Sequence, residues 1–171
     1  MARFETLLNK SEIVFEAESS VHPIRVATSR VKGFFEAVLD DAGRFDFSIP
    51  PSGRLEIAVD DLKSGNALID RVIPAQLDTR RYPTIRAEIV TVQAENGSGR
   101  YFAVGDITFH GVTHRMENVL IIEWLDKTTL GIRGETVIDV REFRVTPPKL
   151  LILKVEPQVK VKLNFIVKLV V

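Results

Sequence analysis

The sequence predicts an all-β protein: a single antiparallel β-barrel carrying one short helix. Three observations carry that expectation. Apolar and charged residues alternate with a period of two through most of the 171 residues, as in strands with one face toward a core and one toward water. Clusters of turn-forming residues cut the alternating runs into short pieces. One segment alone has helical spacing, too little for the βαβ units of a parallel sheet. A sandwich or a barrel remains. The barrel is favoured because nearly every strand has one charged and one apolar face, and closure removes exposed edges.

The elements follow in chain order. In the first strand Ile13, Phe15 and Ala17 alternate with Glu12, Glu16 and Glu18, although Val14 interrupts the polar side. Further strands are expected near 21–27 and 31–40. DDAG at 40–43 turns the chain into RFDFSI, where Phe45, Phe47 and Ile49 share a side, and PPSG at 50–53 turns it into RLEIAVD, where Leu55, Ile57 and Val59 do. SGNALIDRVIPAQL is the helix: Ser64 is placed as N-cap, Leu68, Ile69, Val72 and Ile73 recur at helical spacing, and Pro74 limits it to about two turns. TIRAEIV aligns Ile85, Ala87 and Ile89. ENGSG at 95–99 and LDKTT at 125–129 punctuate strands near 100–110, 114–125 and 128–140. Last comes VKVKLNFIVKLV, with Val159, Val161, Leu163, Phe165, Val167 and Leu169 on one side. Lys154, Lys160, Lys162 and Lys168 share the other parity. Such a basic stripe is expected to protect an edge strand from pairing with a second chain.

Composition excludes several function classes. Lys plus Arg and Asp plus Glu are both 23, so no net charge draws the chain to nucleic acid or an anionic membrane. There is no cysteine, hence no disulfide framework and no thiolate chemistry. MARFETLLNKSEIVFE lacks an apolar h-region, and no apolar run reaches the length of a spanning helix. A membrane barrel would need an apolar exterior with aromatic girdles, which these charged faces do not offer. The expectation is one soluble, cytoplasmic domain over residues 1–171.

Candidate chemistry is sparse. Asp40–Asp41 and Asp60–Asp61 are adjacent pairs, which point to opposite faces of a strand and sit beside turns. Ser11, Ser48 and Ser64 have no histidine partner in the pattern, and no glycine-rich phosphate loop occurs. GDITFHGVTH holds His110 and His114, read as facing each other across a hairpin whose loop is Gly111, Val112 and Thr113. Two imidazoles fall short of the three or four protein ligands that zinc takes, and His22 stands alone beside Pro23. No catalytic group, metal or cofactor is expected. Asp70 and Asp78 are expected to pair with Arg80 and Arg81 and so to fix the loop after the helix.

The residues around this hairpin carry a family resemblance. GDITFHGVTHRMENV resembles the glycine, leucine-threonine, histidine-glycine-valine-threonine hairpin of the YceI-like family, the polyisoprenoid-binding proteins. SEIVFEA is similar to that family's opening strand, and Gly33 to the glycine of its second. LEIAVDDLKSGNALIDRVIPAQLDTRRYPTI resembles its strand, helix and proline-centred turn, with Asn66, Asp70 and Pro83 at matching places; TTLGIRGETVIDVREF and LKVEPQVKVKLNFIV complete the order. The chain departs from the family at Ile107 (often Leu), His114 (Lys or Arg), Ala87 (commonly aromatic) and Arg144 (Gly). The resemblance implies an extended lipocalin-like barrel whose interior holds a long isoprenoid or similar amphiphilic lipid.

The residues themselves leave open whether the barrel is hollow or filled. Large inward residues (Phe15, Phe35, Phe45, Phe47, Phe109, Trp124, Phe165) and small ones (Ala17, Ala37, Ala87, Ala103, Gly105, Gly134) can interdigitate or leave an elongated void. With the resemblance, Phe15, Phe35, Phe47, Ile57, Ile89, Ile107, Phe109, Leu120, Ile122, Trp124, Ile132 and Phe165 are expected to line a lipid cavity. The alternative is a ligand-free barrel acting as a protein-interaction or scaffold module, with a homodimer as one form of it.

Overall fold

The computed structural model describes every residue except Pro148, Leu151 and Ile152, and only the backbone of Leu150. In chain order the strands are β1 (Ala2–Thr6), β2 (Glu12–Ser19), β3 (Ile24–Thr28), β4 (Lys32–Leu39), β5 (Phe45–Asp46), β6 (Ser52–Ala58), β7 (Thr84–Glu95), β8 (Arg100–Phe109), β9 (Val112–Trp124), β10 (Thr129–Asp139), β11 (Lys149–Leu150) and β12 (Leu153–Leu169). Helix α1 (Ala67–Gln76) lies between β6 and β7, and short 3-10 turns occupy Val59–Asp61 and Val140–Phe143. All pairings are antiparallel, and eight strands close a ring in the order β1-β4-β6-β7-β8-β9-β10-β12 and back to β1. The predicted barrel and its single helix are present.

Closure depends on a strand that alternation did not reveal. β1 is five residues long, yet it pairs with β4 through Phe4↔Phe35 and with β12 through Phe4↔Leu169. β2 continues along the same edge of β12, from Glu12↔Asn164 to Ser19↔Val155. Between the two, the Ser11 hydroxyl accepts from Ile166 N at 3.0 Å and donates to Ile166 O at 3.2 Å, keeping that edge satisfied where the chain steps out. β12 is therefore paired on both sides, with β10 opposite, and is not an edge strand. Its lysines have a different role from the one expected: Lys160 meets Glu135 at 3.5 Å and Lys162 meets Glu16 at 3.7 Å, as cross-strand ion pairs of the outer face. Arg54–Glu88 and Arg115–Asp106 repeat the pattern on other strands. Exposed pairs of this kind contribute about 0–1 kcal/mol each.

Other expectations need correction. RFDFSI makes only the two-residue β5 before turning, and Ile49 is exposed rather than inward. The N-cap of α1 is Asn66, whose side chain accepts from the Leu68 and Ile69 N–H groups. Ser64 instead binds Asp70, through both its N–H and its hydroxyl at 2.7 Å. Asp70 thus takes no arginine, and among the described residues neither Arg80 nor Arg81 is in an ion pair; Arg81 lies over the Tyr82 ring. The helix runs two residues beyond Pro74 to Gln76, and Leu77 N–H then caps onto Ile73 O. Ile69 and Ile73 are its buried residues, whereas Leu68 is exposed.

Close packing of the strands leaves little room for a side chain at two glycines. A Cβ at Gly33 would stand 2.5 Å from the Arg54 carbonyl oxygen, and one at Gly53 2.6 Å from Ile89 Cδ1. At Gly33 the clash is with backbone, so a side chain would force β4 and β6 apart; at Gly53 the Ile89 side chain of β7 would have to turn aside.

Candidate functional site: an apolar cavity inside the barrel

The inward face of the strands does not fill the barrel. A cavity of about 370 Å³ runs through the interior, within the size range of small-molecule sites. Its wall is almost wholly aliphatic and aromatic. One side is built of small residues, Ala87, Ala103 and Gly105, on neighbouring strands β7 and β8, with Ala17 on β2. These are where the lining is thin, because no side chain reaches inward far enough to meet the opposite wall. Ala37 and Gly134, the other small inward residues, are not in the wall. Ala37 is fully buried, and Leu120 Cδ2 lies 2.7 Å from where a Cβ of Gly134 would stand.

The two ends of the barrel are closed differently. At one end the short β5 segment folds across, and six rings stack into a plug. Phe45 stacks on Phe47 and on Trp124 at 5.4 and 5.9 Å, Phe4 meets Phe35 at 6.3 Å, and Tyr101 meets Phe47 edge-on at 5.4 Å. At the other end Leu62, Ile73 and Leu77 from the helical connection, with Phe143 and Val145 after β10, reach the cavity from above.

Ten of the twelve residues predicted from sequence are in the cavity wall: Phe15, Phe35, Ile57, Ile89, Ile107, Phe109, Leu120, Ile122, Ile132 and Phe165. Phe47 and Trp124 are not. They belong to the aromatic plug, and Trp124 is 40% exposed. Their parity is right, but their rings stack with Phe45 across the barrel end, which alternation alone does not show. The wall also contains Ile24, Val26, Val92, Met116, Asn118, Thr136, Ile138 and Val155. Extending the same parity along each strand would have found most of these. Leu62, Ile73, Leu77 and Phe143 come from outside the strands and carry no such signal.

The histidines are separated by the hairpin geometry. The β8–β9 turn has two residues, not three: His110 and Gly111 both take positive φ, 55° and 76°, the requirement of the tight turn that matches strand twist. Pairing then sets Phe109 opposite Val112 and Ile107 opposite His114. His110 packs on Tyr82 with ring centroids 4.2 Å apart, while His114 Nε2 donates to the Glu142 carbonyl at 2.6 Å and its ring meets Phe143 edge-on. Among the described residues, no group of three or more His, Cys, Asp or Glu side chains is placed to hold a metal ion.

Displaced ionisations lie on the outer face and in turns. Hydrogen bonds from Arg3 and Ser52 hold the Glu36 carboxyl below the ordinary range, and Arg115 does the same for Asp106. Arg141 lowers Asp139, and the Arg44 and Ala42 N–H groups, with the Arg44 side chain, lower Asp40. Among the described residues, no helix is long and apolar enough to cross a membrane.

A closed antiparallel barrel around an apolar cavity, capped by one short helix, defines a lipocalin-like barrel fold. Residues 7–167 match the YceI-like domain model, so the chain belongs to the YceI-like family. Solved structures agree in fold. BcnA of Burkholderia cenocepacia is 17% identical over 94% of this chain and 98% of its own, with a TM-score of 0.76. A polyisoprenoid binding domain from Saccharophagus degradans, implicated in plant cell wall breakdown, is 13% identical over 98% of both chains, with a TM-score of 0.78. A Campylobacter jejuni YceI protein covers 80% of this chain and 81% of its own at 15% identity and a TM-score of 0.60. No curated protein sequence matches the chain.

Proposed function

We propose that this protein binds, and thereby sequesters or carries, a long-chain isoprenoid or similar amphiphilic lipid inside the barrel. The observation that carries the reading is the cavity of about 370 Å³ with its apolar wall. The polyisoprenoid-binding character of the Saccharophagus domain, which shares the fold, supports the same class. No bond is broken in this reading.

The physical argument favours chain over head. Each methylene moved from water into such a wall contributes about 0.8 kcal/mol. A chain of about twenty carbons offers on the order of 15 kcal/mol before ordering costs are subtracted. One head-group hydrogen bond adds about 1 kcal/mol. Selectivity should therefore follow chain length and bulk. Mass spectrometry of lipid extracted from the untreated protein is expected to return a long apolar chain. Equal affinity for short and long prenyl chains would refute the proposal.

A further inference from the structure

The ring of strands is not hydrogen-bonded all the way round at every height. β9 pairs with β8 from Val112 to Ile121, and β10 pairs with β12 along its whole length, Thr129 to Asp139. Yet β9 and β10 pair with each other only from Leu130↔Trp124 to Gly134↔Leu120. Beyond that rung the two strands part. Among the described residues no rung joins 112–119 to 135–139. The register, if continued, would set Asn118 opposite Thr136 and Met116 opposite Ile138. All four line the cavity, so the parting is a break in the cavity's own wall.

The side chains at this seam differ from the rest of the lining. Asn118 and Thr136 are polar side chains in a mostly hydrocarbon wall, whose other polar members are Thr6, Arg54, Glu88 and Glu156. Among the described residues, neither side chain has a hydrogen-bond partner. The Asn118 amide leans across the gap, its Nδ2 3.5 Å from where a Cβ of Gly134 would stand. On the outer side Val137 is 57% exposed, an apolar residue at the lip. The far end of the seam is tied by the His114–Glu142 hydrogen bond, so it is bounded above and below. The aromatic plug blocks one barrel end, and the helical connection overlies the other.

We propose that the β9–β10 seam is the lateral portal through which the apolar ligand is admitted and released. Its head group comes to rest there on Asn118 and Thr136. These two side chains offer an amide and a hydroxyl and no cation, so they fit an uncharged head such as an alcohol, amide or ketone. A pyrophosphate would lose its hydration with no positive charge at the seam in return, and the lining's Arg54 is already paired with Glu88 at 3.0 Å. This inference rests on the proposed lipid-binding function and adds to it the route and the class of head group.

The test uses the full chain, which has no cysteine of its own. The first variant, Asn118→Leu with Thr136→Val, keeps shape and removes polarity. Geranylgeraniol, geranylgeranyl pyrophosphate and the corresponding hydrocarbon are titrated by calorimetry. Wild type is expected to prefer the alcohol to the pyrophosphate. The variant is expected to lose about tenfold for the alcohol, the size of one good hydrogen bond in an apolar setting, with no loss for the hydrocarbon. In the second variant, Glu117→Cys with Val137→Cys, a short reducible cross-linker spans the lip from outside. Rates of geranylgeraniol uptake and release should fall at least tenfold when it is in place and recover on reduction, with affinity unchanged. If the alcohol binds wild type but neither variant alters its binding or rates, the portal is wrong and lipid binding stands. A preference for the pyrophosphate overturns the head-group assignment. If none of the three probes binds wild type, both proposals fail.

Discussion

Ala87 offers the most direct test of where ligand sits. It lies on β7 between Leu55 and Ile107 on the adjoining strands and faces the cavity. It is also the position where the family commonly carries an aromatic residue. Replacing it with Phe would put six ring carbons into space that a ligand chain would otherwise use. If each ring carbon displaced one methylene, the cost would be at most about 5 kcal/mol at about 0.8 kcal/mol each. If the chain recovers half of that by bending toward Ala103 and Gly105, the cost is about 2.5 kcal/mol, or roughly sixty-fold in affinity. The ring should meanwhile leave the unliganded barrel as stable or more so, because it fills a void without displacing packed atoms. Calorimetric titration of geranylgeraniol into both proteins, with urea melts of each without ligand, reads the two effects separately. An Ala87→Phe protein that melts like wild type and binds with unchanged affinity would refute the placement of ligand against this wall.

Four further outcomes follow from the structure. Arg144 sits at φ 57°, ψ 29°, a left-handed conformation that costs a side-chain-bearing residue about 1–2 kcal/mol; Arg144→Gly, after the entropy that glycine loses on folding, should gain about 0.5–1 kcal/mol, seen as a Tm raised by about 2–3 °C. Ser11→Ala leaves the Ile166 N–H without its partner at a buried site, while the Ile166 carbonyl keeps the Leu7 N–H, and should lower stability by about 1–3 kcal/mol in urea melts. Phe165→Lys puts an unpaired ammonium into the apolar wall and should cost several kcal/mol, ligand binding, or both; no change in either would mean the face assignment of β12 is wrong. Because Glu36, Asp40, Asp106 and Asp139 are held below their ordinary values of 4.5 and 3.8, their stabilising contribution is complete above the unfolded values and is lost as pH falls through the lower folded ones. Tm should thus show no loss from these groups at neutral pH and should decline below about pH 4.

The parts of this molecule that sequence made legible are those with local periodicity. β2, β4, β6, β7, β8, β9, β10 and β12 expose a largely charged face and bury an apolar one, and parity along them picks out ten residues of the cavity wall. What stayed hidden depends on contacts distant in sequence. β1 is too short for alternation to register, and only its pairing with β4 and β12 makes it a strand. RFDFSI alternates well, yet most of it lies across the barrel end as a plug, because aromatic stacking with Phe4, Phe35 and Trp124 outweighs continued pairing. The lysine stripe of β12 was misread as edge protection because a sequence does not show which strand will flank another. The two-residue hairpin at His110–Gly111 could have been anticipated, since histidine tolerates positive φ better than most residues and glycine follows it. A three-residue loop sets His114 opposite His110, whereas the two-residue turn sets it opposite Ile107.

One feature of β12 explains why the barrel is hollow in its middle rather than filled. At 17 residues it is far longer than its neighbours on one side, and two different strands share that edge. Near its C-terminal end it pairs with β1, which leads directly to β4 and draws the ring tight around Phe4, Phe35 and Leu130. Farther along it pairs with β2, which leads to β3 instead, and β3 touches the rest of the ring through the isolated bridge Ala27↔Lys63. Away from the plug two strands, β2 and β3, therefore stand where β1 alone stood, and side chains that filled the narrow end no longer meet across the wide one. The helical connection partly covers the widened end with Ile69 and Ile73 against Ile24, Leu153 and Val155. The cavity lies between these two closures. Its size is set less by the choice of any single lining residue than by where the chain steps off β12 at Leu7–Ser11, so shortening that step should narrow the barrel in a way that no substitution in the wall can reproduce.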